Sequence, residues 1–262
     1  MDRRGLKTVM ILILLLTNAF LLAHLALRYA REEAARRQGE KNLLALLASG
    51  GVTVSALPRE APPDPVSLSG YDKLSDSAAA FFLGGHPEGT EADGELRYAD
   101  GETEVRISPD GVFSVSGLES REDPQRLCRR FCRLFGFRLP ESLEAEDGVL
   151  MAFAVYEGLP VENCRVSFLF AQGRLREVSG TLLPGEAVPS AYPGELRGAA
   201  AALTAFQFWE DRPQEAAVTA VSRCFLLETG EDGDQTLVPA WRIETETAAA
   251  CVNCLTGEVS AA

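Results

Sequence analysis

Residues Gly94–Gly117, GELRYADGETEVRISPDGVFSVSG, decide the fold class. Leu96 and Tyr98, Val105 and Ile107, and Phe113 and Val115 alternate with polar residues, the period-two mark of strands with one buried face. Asp100-Gly101 and Asp110-Gly111 punctuate the run, and such pairs reverse a chain because glycine accepts positive φ without steric cost. Three antiparallel strands are therefore predicted.

Downstream, Asp123-Pro124 is a helix start, since proline fits the first helical position. The helix PQRLCRRFCRLFG carries Leu127, Cys128, Phe131, Cys132, Leu134 and Phe135 on one face and Arg126, Arg129, Arg130 and Arg133 on the other. The pattern then repeats. VLMAFAVYEG, PVENCRVSFLFAQG and RLREVSGTLLP read as strands, and a helix follows over about 195–209 with Leu196, Ala199, Ala200, Leu203 and Phe206 at helical spacing. VTAVSRCFLLET, TLVPAWRIETET and AAACVNCLTGEVSA close the chain as further strands, the last turning at Thr256-Gly257. Runs of strands alternating with single helices imply an α+β fold, antiparallel sheets with helices on one face.

Upstream, Ser75 is placed to cap a short helix over 76–83, closed by Gly84-Gly85. Before it lies VTVSALPREAPPDPVSL, extended because proline excludes helix. Arg28 to Ser49 keeps helical composition, with Leu43, Leu44, Leu46 and Leu47 as an apolar edge and Gly50-Gly51 as its stop. Val9 to Leu27 holds no charged residue over nineteen positions. A bilayer core needs roughly 20 apolar residues in a helix. Cleavage after Ala26 or Ala30 would put His24 or Arg28 at the minus-three position, so an uncleaved signal-anchor is expected. Five Lys/Arg follow the span (Arg28, Arg31, Arg36, Arg37, Lys41) against Arg3, Arg4 and Lys7 before it, a count that favours the opposite topology. The short head and the export-like remainder argue for the head inside. The expected organisation is a cytoplasmic head (1–8), a transmembrane anchor (9–27), a juxtamembrane helix and linker (28–58), and α+β subdomains over 59–138 and 139–262. The chain is expected in the cell membrane as a single-pass protein, its ectodomain outside the cytoplasm.

Within the span, Thr17 and Asn18 lie near the middle, and polar side chains there commonly hydrogen-bond to another helix. They are candidate interaction residues. The formal charge is −13; residues 1–41 hold eight Lys/Arg against four Asp/Glu, leaving the remainder at −17. So acidic a surface repels nucleic acid, and no nucleic-acid partner is expected. Against it, Arg126, Arg129, Arg130 and Arg133 read as a solvated face, or as a docking face for an acidic partner.

Six cysteines stand at 128, 132, 164, 224, 251 and 254. Their apolar neighbours suggest core thiols, although an exported chain permits disulfides. Cys251 and Cys254, three apart in a strand, point to opposite faces, which argues against redox or zinc chemistry. Only His24 and His86 exist, so a Ser/His/Asp or Cys/His site has little material. Glu144, Glu146 and Asp147 occur in turn-like sequence and read as solvated. Gly84-Gly85 follows a helix rather than a strand, so no nucleotide fingerprint is present. Neither an enzyme nor a cofactor is expected.

The opening MDRRGLKTVMILILLLTNAFLLAHL, with LLALLASGGVTVSALP after it, resembles YycI-type regulatory proteins. LVPAWRIETET and CVNCLTGEV resemble the closing strands of YycI/YycH-like and PepSY-like modules. Pro239, Trp241, Asn253, Thr256, Gly257 and Glu258 stand at the positions of that structural motif. The resemblance implies a membrane-anchored extracytoplasmic protein of a two-component system. It would modulate a cell-wall sensor histidine kinase, beside a YycH-like protein, through transmembrane and ectodomain contacts in a homo- or hetero-dimer. The alternative it implies is a PepSY-like ectodomain that binds a peptide or inhibits a protease. No catalytic residue is carried over. The six cysteines and the Ala, Arg and Glu content depart from the family pattern.

Overall fold

The computed structural model describes residues 3–69, 71–85, 87–92, 94–118, 123–140, 148–184, 186–190, 192–230 and 234–262. His86, Glu144, Glu146 and Asp147 fall outside them. Helix α1 (Arg3–Ser49) leads into β1 (Val52–Val54), β2 (Val66–Ser69) and α2 (Tyr71–Leu83). Strands β3 (Thr90–Ala92), β4 (Glu95–Asp100), β5 (Thr103–Ile107) and β6 (Val112–Ser116) precede α3 (Pro124–Phe135). Then come β7 (Phe137–Arg138), β8 (Val149–Tyr156), β9 (Leu159–Ala171), β10 (Arg174–Thr181) and β11 (Glu186–Pro189). Helix α4 (Ala199–Gln207) is followed by β12 (Ala216–Thr229), β13 (Gln235–Thr245), β14 (Ala249–Asn253) and β15 (Val259–Ala261). The α+β expectation holds, with mostly antiparallel pairing.

The alternating residues behave as their period requires. Tyr98, Val105, Ile107, Phe113 and Val115 are all buried, and β4, β5 and β6 form an antiparallel meander continued by β10, β9 and β8. Asp123 caps α3 by accepting from the Arg126 backbone N–H at 3.3 Å, and Gly136 closes the helix in the left-handed region at φ 74°. The apolar face of α3 lies on the meander, except for Leu134, which was expected there and is 63% exposed. Its centre is Phe131, fully buried, with ring centroids of Phe81, Phe82, Phe113, Phe135, Phe137 and Phe168 between 4.6 and 5.9 Å away.

Two helices differ from the sequence reading. Helix α2 begins at Tyr71 rather than at 76, and Ser75 sits inside it, 3% exposed, because the buried face with Ala78 and Ala79 starts a turn earlier. Helix α4 begins only at Ala199. The preceding Arg197 gives its N–H to the Cys254 carbonyl (2.9 Å) and its carbonyl to the Trp241 indole N–H (3.0 Å), so its backbone serves the sheet instead of a helical turn.

The apolar interior has two main parts. One runs from Val66 to Leu182 and adds Phe225 and Leu237. The other gathers Leu47, Val52, α4, Val218, Trp241, Ile243, Val252 and Cys254 on the helix-covered side of β12–β14. The 28–58 segment is thus part of the fold: β1 pairs parallel with β12. Helix α1 runs unbroken from the apolar span to Ser49, and Leu12–Leu27 stand clear of the rest of the molecule. By length and composition it is able to cross a membrane.

Replacing Phe131 by Ala should cost about 3–5 kcal/mol, the usual price of emptying an aromatic core site. Arg129→Ala, on the exposed side of the same helix, should stay within about 0.5 kcal/mol. Chemical denaturation of the two variants in detergent checks both values.

Candidate functional site

Strand β9 is bulged. Phe153 of β8 pairs with Arg165, but the next residue, Ala154, pairs with Val161, leaving Glu162, Asn163 and Cys164 without partners on β8. The Asn163 side chain substitutes for the missing ladder on the other side. Its amide donates to the Leu227 carbonyl (2.8 Å) and accepts from the Leu227 N–H (2.7 Å), tying β9 to β12 beyond their single parallel pair, Val161 with Phe225.

The bulge turns Glu162 inward, where it is 1% exposed. A buried carboxylate is expensive unless paired and fully hydrogen-bonded. Arg242 of β13 supplies the partner, its Nη1 2.8 Å from both carboxylate oxygens, while its Nε lies 3.0 Å from Glu244. Arg165 donates to the Glu162 carbonyl (2.8 Å) and stacks its guanidinium 5.3 Å over Phe153.

These groups form one wall of a cleft of about 660 Å³. It lies on the face of β12–β15 opposite α4 and the end of α1. Glu162, Asn163 and Arg165 line one side, Leu226, Glu228, Cys251 and Asn253 the floor, and Glu258 and Ser260 the far rim.

Two of the six motif residues that carried the resemblance, Asn253 and Glu258, line this cleft. Asn253 is 4% exposed; its Oδ1 accepts from the N–H groups of Leu255 (2.7 Å) and Thr256 (3.1 Å), and its Nδ2 donates to Glu228 (2.6 Å). Gly257, at φ 80°, completes the turn by donating to the Asn253 carbonyl. Glu258 donates its N–H to Thr256 Oγ1 (3.1 Å) and stands exposed at the rim. Trp241 points the other way, into the core. Pro239 sits where β13 changes partner, between the residues paired with β2 and those paired with β14, so its missing N–H costs no ladder bond. Its carbonyl accepts from the Cys254 N–H at 2.9 Å.

The other sequence candidates lie elsewhere. Thr17 bonds the Ile13 carbonyl at 2.9 Å, within its own helix. Asn18 is exposed on the same helix, and among the described residues its amide has no recorded hydrogen-bond partner. Arg126, Arg129, Arg130 and Arg133 are all exposed; Arg130 lies 4.7 Å over the Phe81 ring, and Arg129 and Arg133 border a shallow groove with Phe137, Arg138 and Leu139.

All six cysteines are buried free thiols. Cys251 and Cys254 do face opposite sides, Cys254 into the helix-covered core and Cys251 toward Cys224 across Ala240. The Cys251 hydrogen bond and burial push the Cys224 thiol up. Among the described residues no group of three or more His, Cys, Asp or Glu is placed to hold a metal ion.

A scan against protein-family models finds no match, and no curated protein matches the chain. Among solved structures, an uncharacterized protein from Eubacterium rectale is similar over 77% of this chain and 86% of its own, at 10% identity and a TM-score of 0.44. The YpeB C-terminal domain of Bacillus megaterium is similar over 74% of this chain and 98% of its own, at 14% identity and a TM-score of 0.37. At these scores neither likeness assigns a family or an activity.

Sequence reasoning did not find the Glu162–Arg242 pair or the Asn163 bridge. A signal was present: in PVENCRVSFLF, Glu162 and Asn163 stand side by side and break the alternation.

Burial holds the thiols of Cys128, Cys132, Cys164 and Cys254 up at about 12, against an ordinary value near 9. The unfolded chain therefore releases these protons first, and stability should fall as pH rises from about 9 toward 12. Urea midpoints at pH 8 and pH 10.5 test this. Cys164→Ala should lower the midpoint at pH 8 yet lessen its decline with pH.

Proposed function

We propose that this chain is a membrane-anchored regulatory protein. Its ectodomain and anchor together modulate a membrane partner, a sensor histidine kinase in the reading that follows from the YycI-type resemblance. The observation that carries this reading is the joint between the apolar helix and the ectodomain. Leu47 of α1 is fully buried in the core with Val52 and α4. Arg212 binds four carbonyls at the same place, those of Gln207, Pro213, Gln214 and Gly50, at 3.0–3.2 Å. An anchor that served only as a tether would need no such joint, since a flexible linker is enough to hold a domain at a membrane. A helix packed into the core passes a shift or rotation of the span to β1 and β12. Asn18 supplies the contact inside the bilayer, and the arginine face of α3 a second contact with an acidic partner surface.

A second reading, a PepSY-like ectodomain that binds a peptide or inhibits a cell-wall protease, is favoured by the polar cleft on the uncovered face of β12–β15.

In-cell crosslinking of the full chain separates the two. Under the regulatory reading a histidine kinase is captured. Asn18→Leu should then lower the yield about fivefold, the equivalent of about 1 kcal/mol for an interhelical hydrogen bond, and an unrelated apolar anchor should abolish capture. Equal capture with the unrelated anchor would overturn the transmembrane contact.

A further inference from the structure

We infer that the cleft receives an extended peptide segment bearing cationic side chains, paired as an added strand on the free edge of β15. The inference deepens the second reading above and rests on it.

Backbone geometry points to the edge. Asn253 N–H bonds the Glu258 carbonyl and Ala262 N–H bonds the Ala249 carbonyl, each at 2.9–3.0 Å. Residues 258, 260 and 262 therefore turn their backbone groups toward β14, and Val259 and Ala261 turn theirs outward. Among the described residues no strand pairs with that outer side. An exposed edge is a template for one more strand unless the chain blocks it by charge, proline or cover. Here Val259, Ser260 and Ala261 carry neither charge nor proline and no described element covers them; the strand is three residues long, so the pairing it offers is that of Val259 and Ala261.

The cleft lies directly beside this edge, with Ser260 and Ala261 in its lining. Its volume of about 660 Å³ falls within the range of ligand sites, roughly 300–1,000 Å³. Alternate side chains of an added strand would turn into it, because successive side chains of a strand point to opposite faces.

Charge selects the occupant. Arg242 is spent on Glu162 and Glu244, and Arg165 is held against the Glu162 carbonyl and Phe153. Glu228 and Glu258 remain as exposed carboxylates at the floor and rim. Only one Glu228 oxygen is recorded as accepting a bond, the one from Asn253. Residues 42–262 carry a net −17, so the long-range field attracts cations as well. A lysine or arginine side chain reaching between Glu228 and Glu258 satisfies both carboxylates while the backbone satisfies the edge.

The test uses the full chain in detergent and acetyl-Val-Lys-Val-Lys-Val-amide, titrated by calorimetry beside its Val-Glu-Val-Glu-Val counterpart. Two N-methylated forms of the lysine peptide complete the set, each blocking alternate N–H groups in one phase. The expected result is binding of the lysine peptide and not of the glutamate peptide. One N-methyl phase should lose binding and the other keep it, because only alternate N–H groups of an added strand face β15. Glu228→Gln combined with Glu258→Gln should weaken the lysine peptide at least tenfold without moving the thermal midpoint. Binding that ignores charge, or tolerates both N-methyl phases, overturns the strand-addition site while leaving a peptide-binding module standing. No binding by either peptide overturns both.

Discussion

The three-residue interruption of β9 is the constraint on which the domain that follows α1 depends. Up to Val161 and again from Arg165 the strand pairs with β8, so Glu162–Cys164 must be accommodated without a partner there. That detour lets one strand serve the meander beneath α3 and also meet β12 of the helix-covered half. Because backbone pairing across the junction amounts to Val161 with Phe225, the Asn163 amide takes on the role of a strand residue. The inward carboxylate of Glu162 follows from the same detour and draws Arg242 into place. The core division, the buried ion pair and the cleft are three results of one insertion.

At the opposite side of β12 the joint with α1 works by different physics. A helix end leaves carbonyls unsatisfied and concentrates negative partial charge, and a guanidinium is well shaped to answer it. Arg212 does this for α1 and α4 together, through Gly50 and Gln207. Gly51, at φ 82°, makes the turn into β1, and a Cβ there would lie 2.5 Å from the Gln214 carbonyl. Only glycine fits the turn that lets the helix end and β1 share one core.

The sequence made the local structure plain and left its long-range pairings obscure. Period-two alternation located β4–β6 and β8–β10, and Asp123-Pro124 and Gly136 bounded α3, because strand faces and helix caps are set by neighbouring residues. The boundaries that slipped, at α2 and α4, were those decided by distant partners: the buried face around Ser75, and the bonds of Arg197 to Cys254 and Trp241. VTVSALP reads as extended from its prolines, yet nothing local announces its parallel pairing with β12. The motif around Asn253 was legible as a turn, and its place at a cleft depends on β9, ninety residues earlier. The Glu162–Arg242 pair joins residues 80 apart, and no spacing rule spans that gap.

The unbroken length of α1 carries one more consequence. With Val9–Leu27 in a bilayer, residues 28–42, ahead of the core contacts of Leu43 and Leu47, would continue the same helix for about 22 Å, at about 1.5 Å per residue. Electrostatic screening in physiological salt sets in over about 8 Å. Such a stalk would set the acidic domain off from a membrane surface by up to about two screening lengths, weakening the pull or push of anionic lipid on it. Next to the span the helix carries Arg28, Arg31, Arg36 and Arg37, with Arg28 paired to Glu32 and both Arg36 and Arg37 to Glu33. The helix thus separates a basic N-terminal part, net +4 over residues 1–41, from an acidic remainder at −17.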